Sequence, residues 1–365
     1  MRHSRRQNDK PDERRVAAGR GGVRVWRQMS RPGGEQLDLL IIGAGPAGLS
    51  AADAAACAGL DYLVIEKGII ADTIYRYPVG RTVFSTPEEL ELREKSLRPC
   101  RDKPTREELL THYVRFALEQ NLRIRTEEGA EAIERVGDAE TGDFLVRTAR
   151  AEYRASRVLV ATGAMAYPRR LNVAGEDLPK VGHRFVEAYP HVRKDALVVG
   201  GGNSAAEAAL FLSEEGARTT LAIWRADWEQ RDPKMNAIKH WVRAPLEREL
   251  AEGRLQLCFF TDITAITARE VRLQTEDGAL RTLPNDAVFI LIGADADHTL
   301  LSRAGVEFTT AGLAQVPVYD PDTYETNVPG LYVAGHFTHA RHIKQAIAVP
   351  RHIIPLIARS LQATV

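Results

Sequence analysis

The chain has 365 residues, with 49 Lys and Arg against 49 Asp and Glu, so its formal net charge is zero. A balanced charge gives no electrostatic case for binding nucleic acid or an anionic membrane, and no apolar run approaches the about 20 residues that cross a bilayer. The three cysteines, Cys57, Cys100 and Cys258, are odd in number and far apart, which argues against a disulfide framework and favours a reducing cytoplasm. The length suffices for two domains, each with its own core.

Residues 1–36 are rich in arginine and poor in apolar residues, which predicts a disordered basic extension. The segment has no hydrophobic stretch of the kind that a secretory signal needs. One interpretation is an arm for RNA, membrane or targeting; the other is a simple tail, with Met29 as the true start. Composition favours the second.

A strand, a glycine turn, a helix and a second strand are predicted next. The apolar run Leu39 to Ile42 is typical of a buried parallel strand. Residues 43–48 then fit G-x-G-x-x-G, in which the glycines permit a tight turn, the approach of a pyrophosphate and close helix packing. The second strand, Tyr62 to Ile65, ends at Glu66, near the spacing expected for a carboxylate that binds a ribose hydroxyl. The unit predicts dinucleotide binding; the alternative is a glycine turn in an ordinary α/β unit.

Residues 72–92 combine aromatic residues with proline and glycine and are predicted to form a structured loop rather than a helix. Thr105 and Glu108 predict a capping box, with a helix continuing from them. Short strands are expected at Leu122 to Arg125 and at Phe144 to Thr148, around a charged turn.

A further buried strand, Val158 to Ala161, ends at Thr162-Gly163 and has Pro168 downstream. This A-T-G with a later proline is a second signal of a flavoprotein that binds two dinucleotides.

The opening unit is then repeated. A strand at Ala196 to Val199 leads into residues 200–205, which fit G-x-G-x-x-A, and Thr220 to Ile223 forms the following strand. Ile223 takes the position that Glu66 has in the first unit, with Arg225 two residues on. A missing acid with a nearby arginine favours a 2′-phosphate, and therefore NADPH over NADH.

Two alternatives stay open in this second unit. Asp227 would supply a carboxylate if the register shifted, and Arg225 would then be a plain surface residue.

Two units, one with the acid and one without, indicate FAD in the first and NADPH in the second. After a strand within Asp286 to Gly293, a final segment has a strand at Leu331 to Ala334, a turn at Gly335 and a helix from Ile343. The predicted fold is α/β, with two Rossmann-like domains and the NADP domain inserted into the FAD domain. The expected boundaries are an extension at 1–36, FAD-domain segments at 37–167 and 293–365, and the NAD(P) domain at 168–292.

Over nearly all of residues 37–361 the sequence resembles the thioredoxin-reductase-like flavoprotein disulfide reductases, and it looks most like the bacillithiol-disulfide reductase type. The matching stretches are GAGPAGLSAA, LVIEKG, TIYRYP, ATG with its later proline, VVGGGNSAAEAAL and YDPDTYETNVPGLYVAG. The resemblance implies FAD, NADPH and a homodimer. The cofactor-binding residues that it implies are Gly43, Gly45, Pro46, Ala47, Gly48, Glu66, Lys67, Thr162, Gly163, Gly200, Gly202, Asn203, Ser204, Arg225, Gly293, Gly335, His336, Gln345 and Ala346.

The chain departs from this family at three places. No C-x-x-C precedes the second glycine turn, where residues 183–190 contain no cysteine. Ala47 takes the position at which the bacillithiol type has a cysteine. The last strand leads into Gly335-His336 instead of Gly-Asp, whose acid holds the flavin ribityl chain in the family. A dithiol relay is therefore excluded.

No metal site is expected. His336, His339 and His342 are three residues apart, but Gly335 places the first of them at a turn and no carboxylate completes a ligand set. A helix that began near His339 would point its N-terminus toward the flavin, as the resemblance implies, and an imidazole or dipole there would stabilise the reduced flavin. The alternative is that the histidines fill a polar rim. The catalytic residues are unknown, with His339 and His342 as candidates, and Cys57 is interpreted as a small core residue.

The predicted function is an NADPH-dependent FAD oxidoreductase that passes electrons to an unidentified acceptor, a disulfide or small redox protein, without an internal dithiol. One alternative is an enzyme like ferredoxin–NADP reductase. A flavin-dependent monooxygenase is disfavoured because the F-x-G-x-x-x-H linker motif is absent. A redox-sensing protein that binds FAD and NADPH without turnover is the alternative from a different class.

Overall fold

The computed structural model describes residues 36–224, 238–311, 314–340 and 342–362. The predictions for the N-terminal extension, Met29, Arg225 and Asp227 lie outside these described residues.

Strands and helices alternate around the two glycine turns, and elsewhere several strands follow one another directly. The strands are β1 Gln36–Ile42, β2 Tyr62–Ile65, β3 Ile124–Arg125, β4 Ala130–Val136, β5 Asp143–Thr148, β6 Glu152–Val160, β7 Tyr167–Pro168, β8 Val181–Gly182, β9 Asp195–Val199, β10 Arg218–Trp224, β11 Leu255–Phe260, β12 Asp262–Ile266, β13 Glu270–Gln274, β14 Leu280–Pro284, β15 Ala287–Ile290, β16 Ala294–Asp295, β17 Phe308–Ala311, β18 Ala314–Pro317 and β19 Leu331–Val333. The α-helices are α1 Pro46–Cys57, α2 Asp72–Tyr75, α3 Pro87–Leu90, α4 Arg106–Glu119, α5 Asn203–Glu214, α6 His240–Ala251, α7 Thr299–Arg303 and α8 Ile343–Gln362.

The first sheet has the order β3-β2-β1-β6-β5-β4, and β19 pairs with β6. Strands β3, β2, β1, β6 and β19 are parallel, whereas β4 and β5 form an antiparallel extension. Continuous apolar runs build the parallel centre because both of its faces are covered, by α1 and α8 on one side and by α7 with residues of β4 and β5 on the other. Helix α1 packs on α8, and the buried Ser50 hydroxyl donates to the Ile347 carbonyl oxygen at 2.7 Å. We call this sheet and the helices packed on it the first lobe.

The second sheet has the order β11-β10-β9-β15-β8, and all its strands are parallel. Helices α5 and α6 bury their apolar sides in one core cluster against it, while the antiparallel sheet β12-β13-β14 supplies residues to the cluster on the other side. We call this unit the second lobe. The α/β architecture with two Rossmann-like domains is therefore confirmed.

Two segments of chain connect the lobes, and they are hydrogen-bonded to each other. Strand β7 pairs antiparallel with β16, with Ala294 opposite Pro168. The chain enters the second lobe through the first of these strands and leaves it through the second. The lobes are thus joined by two adjacent strands of one small ribbon.

Most predicted elements are found where they were expected, and two local predictions are wrong. Residues 72–92 contain the short helices α2 and α3 instead of only a loop. Strand β4 occupies much of the segment that was interpreted as a turn. The last helix begins at Ile343, as predicted, so the condition of a helix that began near His339 is not met.

Candidate cofactor-binding sites

The carboxyl ends of the parallel strands bring the first set of predicted residues together. Ile42 pairs with Ile65 on one side and with Val160 on the other, and Val160 pairs with Val333. The residues that follow these four strands consequently lie along one edge of the sheet. Open α/β sheets bind their ligands at this edge.

The geometry of the first turn explains its glycines. Gly43 has φ +110°, and a Cβ atom there would lie 2.6 Å from the Ala161 carbonyl oxygen. A Cβ at Gly48 would lie 1.8 Å from the Gly43 carbonyl oxygen, so only glycine lets α1 approach the turn. Gly45 has open space within 4 Å of its Cβ direction. The turn thus has two glycines that allow tight packing and one that faces free space, as a pyrophosphate cradle requires.

The N-terminus of α1 carries the remaining phosphate-binding feature. Its N-cap residue is Gly45, no side chain caps it, and Pro46 occupies the first turn. The first N–H groups of the helix therefore stay available to an anion, and the helix dipole adds a partial positive charge.

Glu66 is buried and its carboxylate holds the turn in shape. One oxygen accepts the backbone N–H of Ala44 at 2.7 Å, and the other accepts the N–H of Gly68 at 2.7 Å. Each oxygen keeps a second lone pair, which is available for a ribose hydroxyl. Lys67 beside it is exposed to solvent. Glu66 therefore organises the backbone at the place where it was predicted to bind a ligand.

The last strand closes the same edge. Gly335 has φ +99°, and a Cβ there would lie 3.3 Å from the Ala47 Cβ, so the final turn touches the first glycine turn. Ala346 is buried in the same cluster as Ala47, and Gln345 is exposed beside it in the first turn of α8. His336 is exposed just after the Gly335 turn. Thr162 and Gly163 are also at this edge, with open space at the Cβ direction of Gly163.

His339 is fixed by a tyrosine that the sequence did not indicate. Its Nδ1 atom lies 2.6 Å from the Tyr319 hydroxyl oxygen, which also accepts the His339 backbone N–H at 3.1 Å. The bonds are best satisfied when Tyr319 donates its proton to Nδ1, so the neutral ring carries its proton on Nε2. Tyr319 in turn stacks on Tyr324, with ring centroids 5.0 Å apart.

The second glycine turn lies at the corresponding edge of the second sheet. Gly200 has φ +149°, and a Cβ there would lie 2.4 Å from the Leu291 carbonyl oxygen, whereas Gly202 faces open space. Helix α5 begins at Asn203 with Gly202 as its N-cap and no capping side chain, and Ser204 is exposed. This turn therefore also offers free N–H groups to a pyrophosphate.

The structure places Lys239, which the motif did not indicate, beside the second glycine turn. The Asn203 side-chain oxygen accepts the backbone N–H of Lys239 at 2.7 Å, and Lys239 is the N-cap residue of α6. The start of α6 is therefore held beside the start of α5. Gly293, with φ +98°, follows β15 and accepts the Arg169 N–H at 3.0 Å, so it belongs to the exit from the second sheet.

None of the three cysteines has the properties of a thiol relay. Cys57 ends α1, about 16 Å along the helix from Pro46, and it is exposed, so its interpretation as a core residue was wrong. A hydrogen bond to Glu108 raises the pKa of Cys100, and burial raises the pKa of Cys258. A thiolate relay requires a lowered pKa and access to the flavin.

Two further properties concern only the described residues. In these ranges no group of three or more His, Cys, Asp or Glu side chains is arranged to hold a metal, and His336, His339 and His342 do not form one. None of the helices described is sufficiently long and apolar to span a bilayer.

Two strand–turn–helix units with open glycine cradles define a protein that binds two dinucleotides. A family model described as pyridine nucleotide-disulphide oxidoreductase matches residues 40–335, and the chain belongs to this family. The chain is 36% identical over 300 residues to bacilliredoxin reductase Bdr of Bacillus subtilis (strain 168), covering 82% of this chain and 89% of that protein. It is 27% identical to a ferredoxin–NADP reductase of Ignicoccus hospitalis, covering 83% and 90%.

Solved structures give the same result. A bacillithiol disulfide reductase from Staphylococcus aureus has 30% identity and a TM-score of 0.81, covering 90% of this chain and 99% of that one. The enzyme of the same name from Bacillus cereus has 32% identity and a TM-score of 0.80, covering 89% and 100%. The resemblance to the thioredoxin-reductase-like, bacillithiol-reductase type of flavoprotein is therefore confirmed. The protein is an NAD(P)H-dependent flavoprotein oxidoreductase with FAD and NADPH as cofactors.

Proposed function

We propose that the protein passes electrons from NADPH through FAD to a small disulfide, either free or within a small redox protein, without a thiol relay of its own. The observation that carries the proposal is that Ala47, at the position where the bacillithiol type has a cysteine, brings only a methyl group to the place where the last strand's turn meets the first glycine turn. The names of the relatives at 30% identity and above, a bacilliredoxin reductase and bacillithiol disulfide reductases, support a disulfide as the acceptor.

FAD, which the first glycine turn would hold, would supply the two-electron chemistry that couples oxidation of NADPH to reduction of the acceptor. A disulfide that receives two electrons and two protons becomes two thiols, so the NADPH hydride and one solvent proton balance the reaction. We assign FAD to the first glycine turn, where Glu66 binds the ribose, and NADPH to the second turn. Arg225 contributes the preference for the 2′-phosphate.

His339 is the candidate that supplies a proton to the reduced disulfide. In the protonated ring Nδ1–H donates to the Tyr319 oxygen, so the imidazolium stays oriented and its Nε2–H can be given to the acceptor. His342, exposed at the start of α8, is the second candidate. A histidine whose partner fixes one ring nitrogen is a better acid than a mobile one, because its geometry is set in advance.

The remaining features of the proposal concern organisation. We place the domain boundaries near residues 168 and 293, supported by the paired connecting strands β7 and β16. We also propose a homodimer in the cytoplasm, in line with the resemblance and the scarcity of cysteine.

The acceptor is tested by anaerobic stopped-flow spectroscopy. The FAD-loaded protein is reduced with one equivalent of NADPH and mixed with bacillithiol disulfide, an oxidised bacilliredoxin, ferredoxin or a quinone. We expect fast reoxidation of the flavin by a disulfide and slow reoxidation by ferredoxin. Fast reoxidation by ferredoxin alone would establish the ferredoxin reductase alternative, which the 27% identical relative favours. If NADPH does not reduce the flavin at all, the protein is a binding protein and the proposal is wrong.

A further inference from the structure

A buried ion pair joins the two lobes away from the connecting strands. The Arg81 Nη2 atom, in the segment between α2 and α3, lies 3.1 Å and 2.8 Å from the two carboxylate oxygens of Glu207 in α5. The side chains are 17% and 4% exposed. Burial raises the pKa of Glu207 to about 7, while the Arg81 guanidinium opposes that rise.

Aromatic and backbone contacts surround this ion pair. The Arg81 guanidinium lies over the rings of Tyr77 and Phe84, at 4.8 Å and 5.5 Å from their centroids. Phe84 packs against the core cluster of the second lobe, and its ring centroid lies 5.2 Å from that of Trp241 in α6. The Val79 backbone N–H donates to the Val186 carbonyl oxygen at 2.9 Å. We call these contacts the clasp.

The segment that carries Arg81 belongs firmly to the first lobe. Ile74, Val83 and Leu90 are buried in one cluster with Leu49 of α1 and Ile347 of α8. The clasp therefore connects the helices that flank the first glycine turn to the helix that follows the second. Because Glu207 lies one helical turn after Asn203, the connection reaches α5 beside its phosphate-binding end.

We propose that Arg81 is a positioning residue for the reduction of FAD by NADPH: through Glu207 it fixes α5, and with it the bound nicotinamide nucleotide, relative to the first lobe. This inference rests on the proposed function. Hydride transfer requires the reacting atoms in near-contact geometry, and small displacements cost large factors in rate. Affinity for NADPH depends mainly on the second lobe and is left nearly unchanged by the clasp.

The test uses the full-length, FAD-loaded protein and the variants Arg81→Met, Glu207→Gln and their combination. Arg106→Met is the matched control, because Arg106 is 14% exposed but pairs with Glu107 and donates to the Tyr75 carbonyl oxygen within the first lobe. We expect each single variant to lower the rate constant of flavin reduction at saturating NADPH at least tenfold. The NADPH concentration at half-saturation should change less than twofold. The double variant should be no slower than either single one, since both remove the same interaction.

A second measurement does not depend on turnover. Amide hydrogen exchange at Val79 should be at least tenfold faster in Arg81→Met and Glu207→Gln than in the wild type or Arg106→Met. If Arg81→Met does not fold, Glu207→Gln, which is nearly isosteric, carries both measurements.

The proposal is overturned by any of three results. The effects of the two substitutions on the rate constant of flavin reduction add up in the double variant, the variants change only the NADPH concentration at half-saturation, or the amide exchange rate of Val79 stays the same. If the wild-type flavin is not reduced by NADPH, the proposed function fails and the positioning role falls with it. Exchange at Val79 then still decides whether Arg81 joins the lobes, so the two failures are distinguishable.

Discussion

The two glycine turns follow one sequence pattern but hold their helices in different ways. In the first turn, Gly48 permits close contact between α1 and the turn, because a Cβ at this position would lie 1.8 Å from the Gly43 carbonyl oxygen. In the second turn the same position is Ala205, which is buried. A Cβ at Gly200 would lie 2.9 Å from the Ala205 Cβ. Helix α1 thus lies closer to its turn than α5 does. The third position of the pattern reports how close the helix comes, the first reports close packing of the turn on a neighbouring strand end, and only the second faces open space.

The second difference lies at the end of the following strand. Glu66 ties the first turn together through the N–H groups of Ala44 and Gly68. In the second unit Ile223 takes this position and is buried, and the polar anchor is instead Asn203, which holds Lys239. A change from acid to apolar residue therefore alters the way in which the turn is stabilised, and it is the change on which the proposed NADPH preference rests.

The largest expected effect would come from making the first turn like the second. Gly48→Ala should lower the free energy of unfolding by about 3 kcal/mol, because the clash is with backbone that cannot move aside. The reciprocal change Ala205→Gly should cost about 1 kcal/mol, from helix propensity. Urea unfolding of the flavin-free proteins measures both. Equal losses would mean that the two turns are packed alike.

Removing the acid of the first turn should have the next largest effect. Glu66→Ala removes a charged acceptor from two backbone N–H groups and from the ribose, each bond contributing about 2 kcal/mol. We expect the purified protein to be largely free of flavin, as measured by the ratio of flavin to protein absorbance. Glu66→Gln keeps the shape and one acceptor, and should retain more flavin. Full occupancy in Glu66→Ala would refute the assignment of FAD to this turn.

The second turn should respond through coenzyme preference instead. Arg225→Ala should raise the KM for NADPH about tenfold, the value of one charge-assisted bond to a phosphate, and leave the kinetics with NADH nearly unchanged. Steady-state assays with both coenzymes measure the difference. Equal losses for NADPH and NADH would show that Arg225 supports the fold.

The smallest effect is expected from the cysteines. Replacing Cys57, Cys100 and Cys258 together by Ser should leave NADPH-driven reduction of an artificial acceptor within about twofold of wild type, since the pKa values of Cys100 and Cys258 are raised and Cys57 lies at the far end of α1 from the glycine turn. The physiological acceptor gives the stricter comparison. A variant whose flavin is reduced but cannot pass electrons on would reveal a thiol relay.

Local sequence patterns predicted most of the fold because each of these structures depends on residues that are close together in the sequence. The apolar runs of β1, β2 and β9, the glycine turns and the Thr105–Glu108 capping box, with both its bonds present, are of this kind. Strand β4 was missed although its alternating burial matches an edge strand, because charged residues conceal the period. Cys57 was misjudged because an alanine-rich helix gives little sign of which end is exposed.

The site was predicted less completely for the same physical reason. The glycines and Glu66 belong to one contiguous motif, and the structure brings them to one edge. Tyr319 with His339, and Arg81 with Glu207, pair residues that are far apart in sequence. No spacing rule connects such pairs, and a single sequence gives no other signal for them.

The position of β19 constrains the order in which the two lobes can fold while the chain is being synthesised. Residues 331–333 complete the first sheet by pairing with residues 158–160, which leave the ribosome long before them. The second lobe lies between, so its sheet is complete in the nascent chain while residues 158–160 of β6 still lack their partner on one side. Because domains fold as units during synthesis, the lobe that is translated first is the one that finishes folding last. Exposed apolar residues of β6 would have to be protected during that interval.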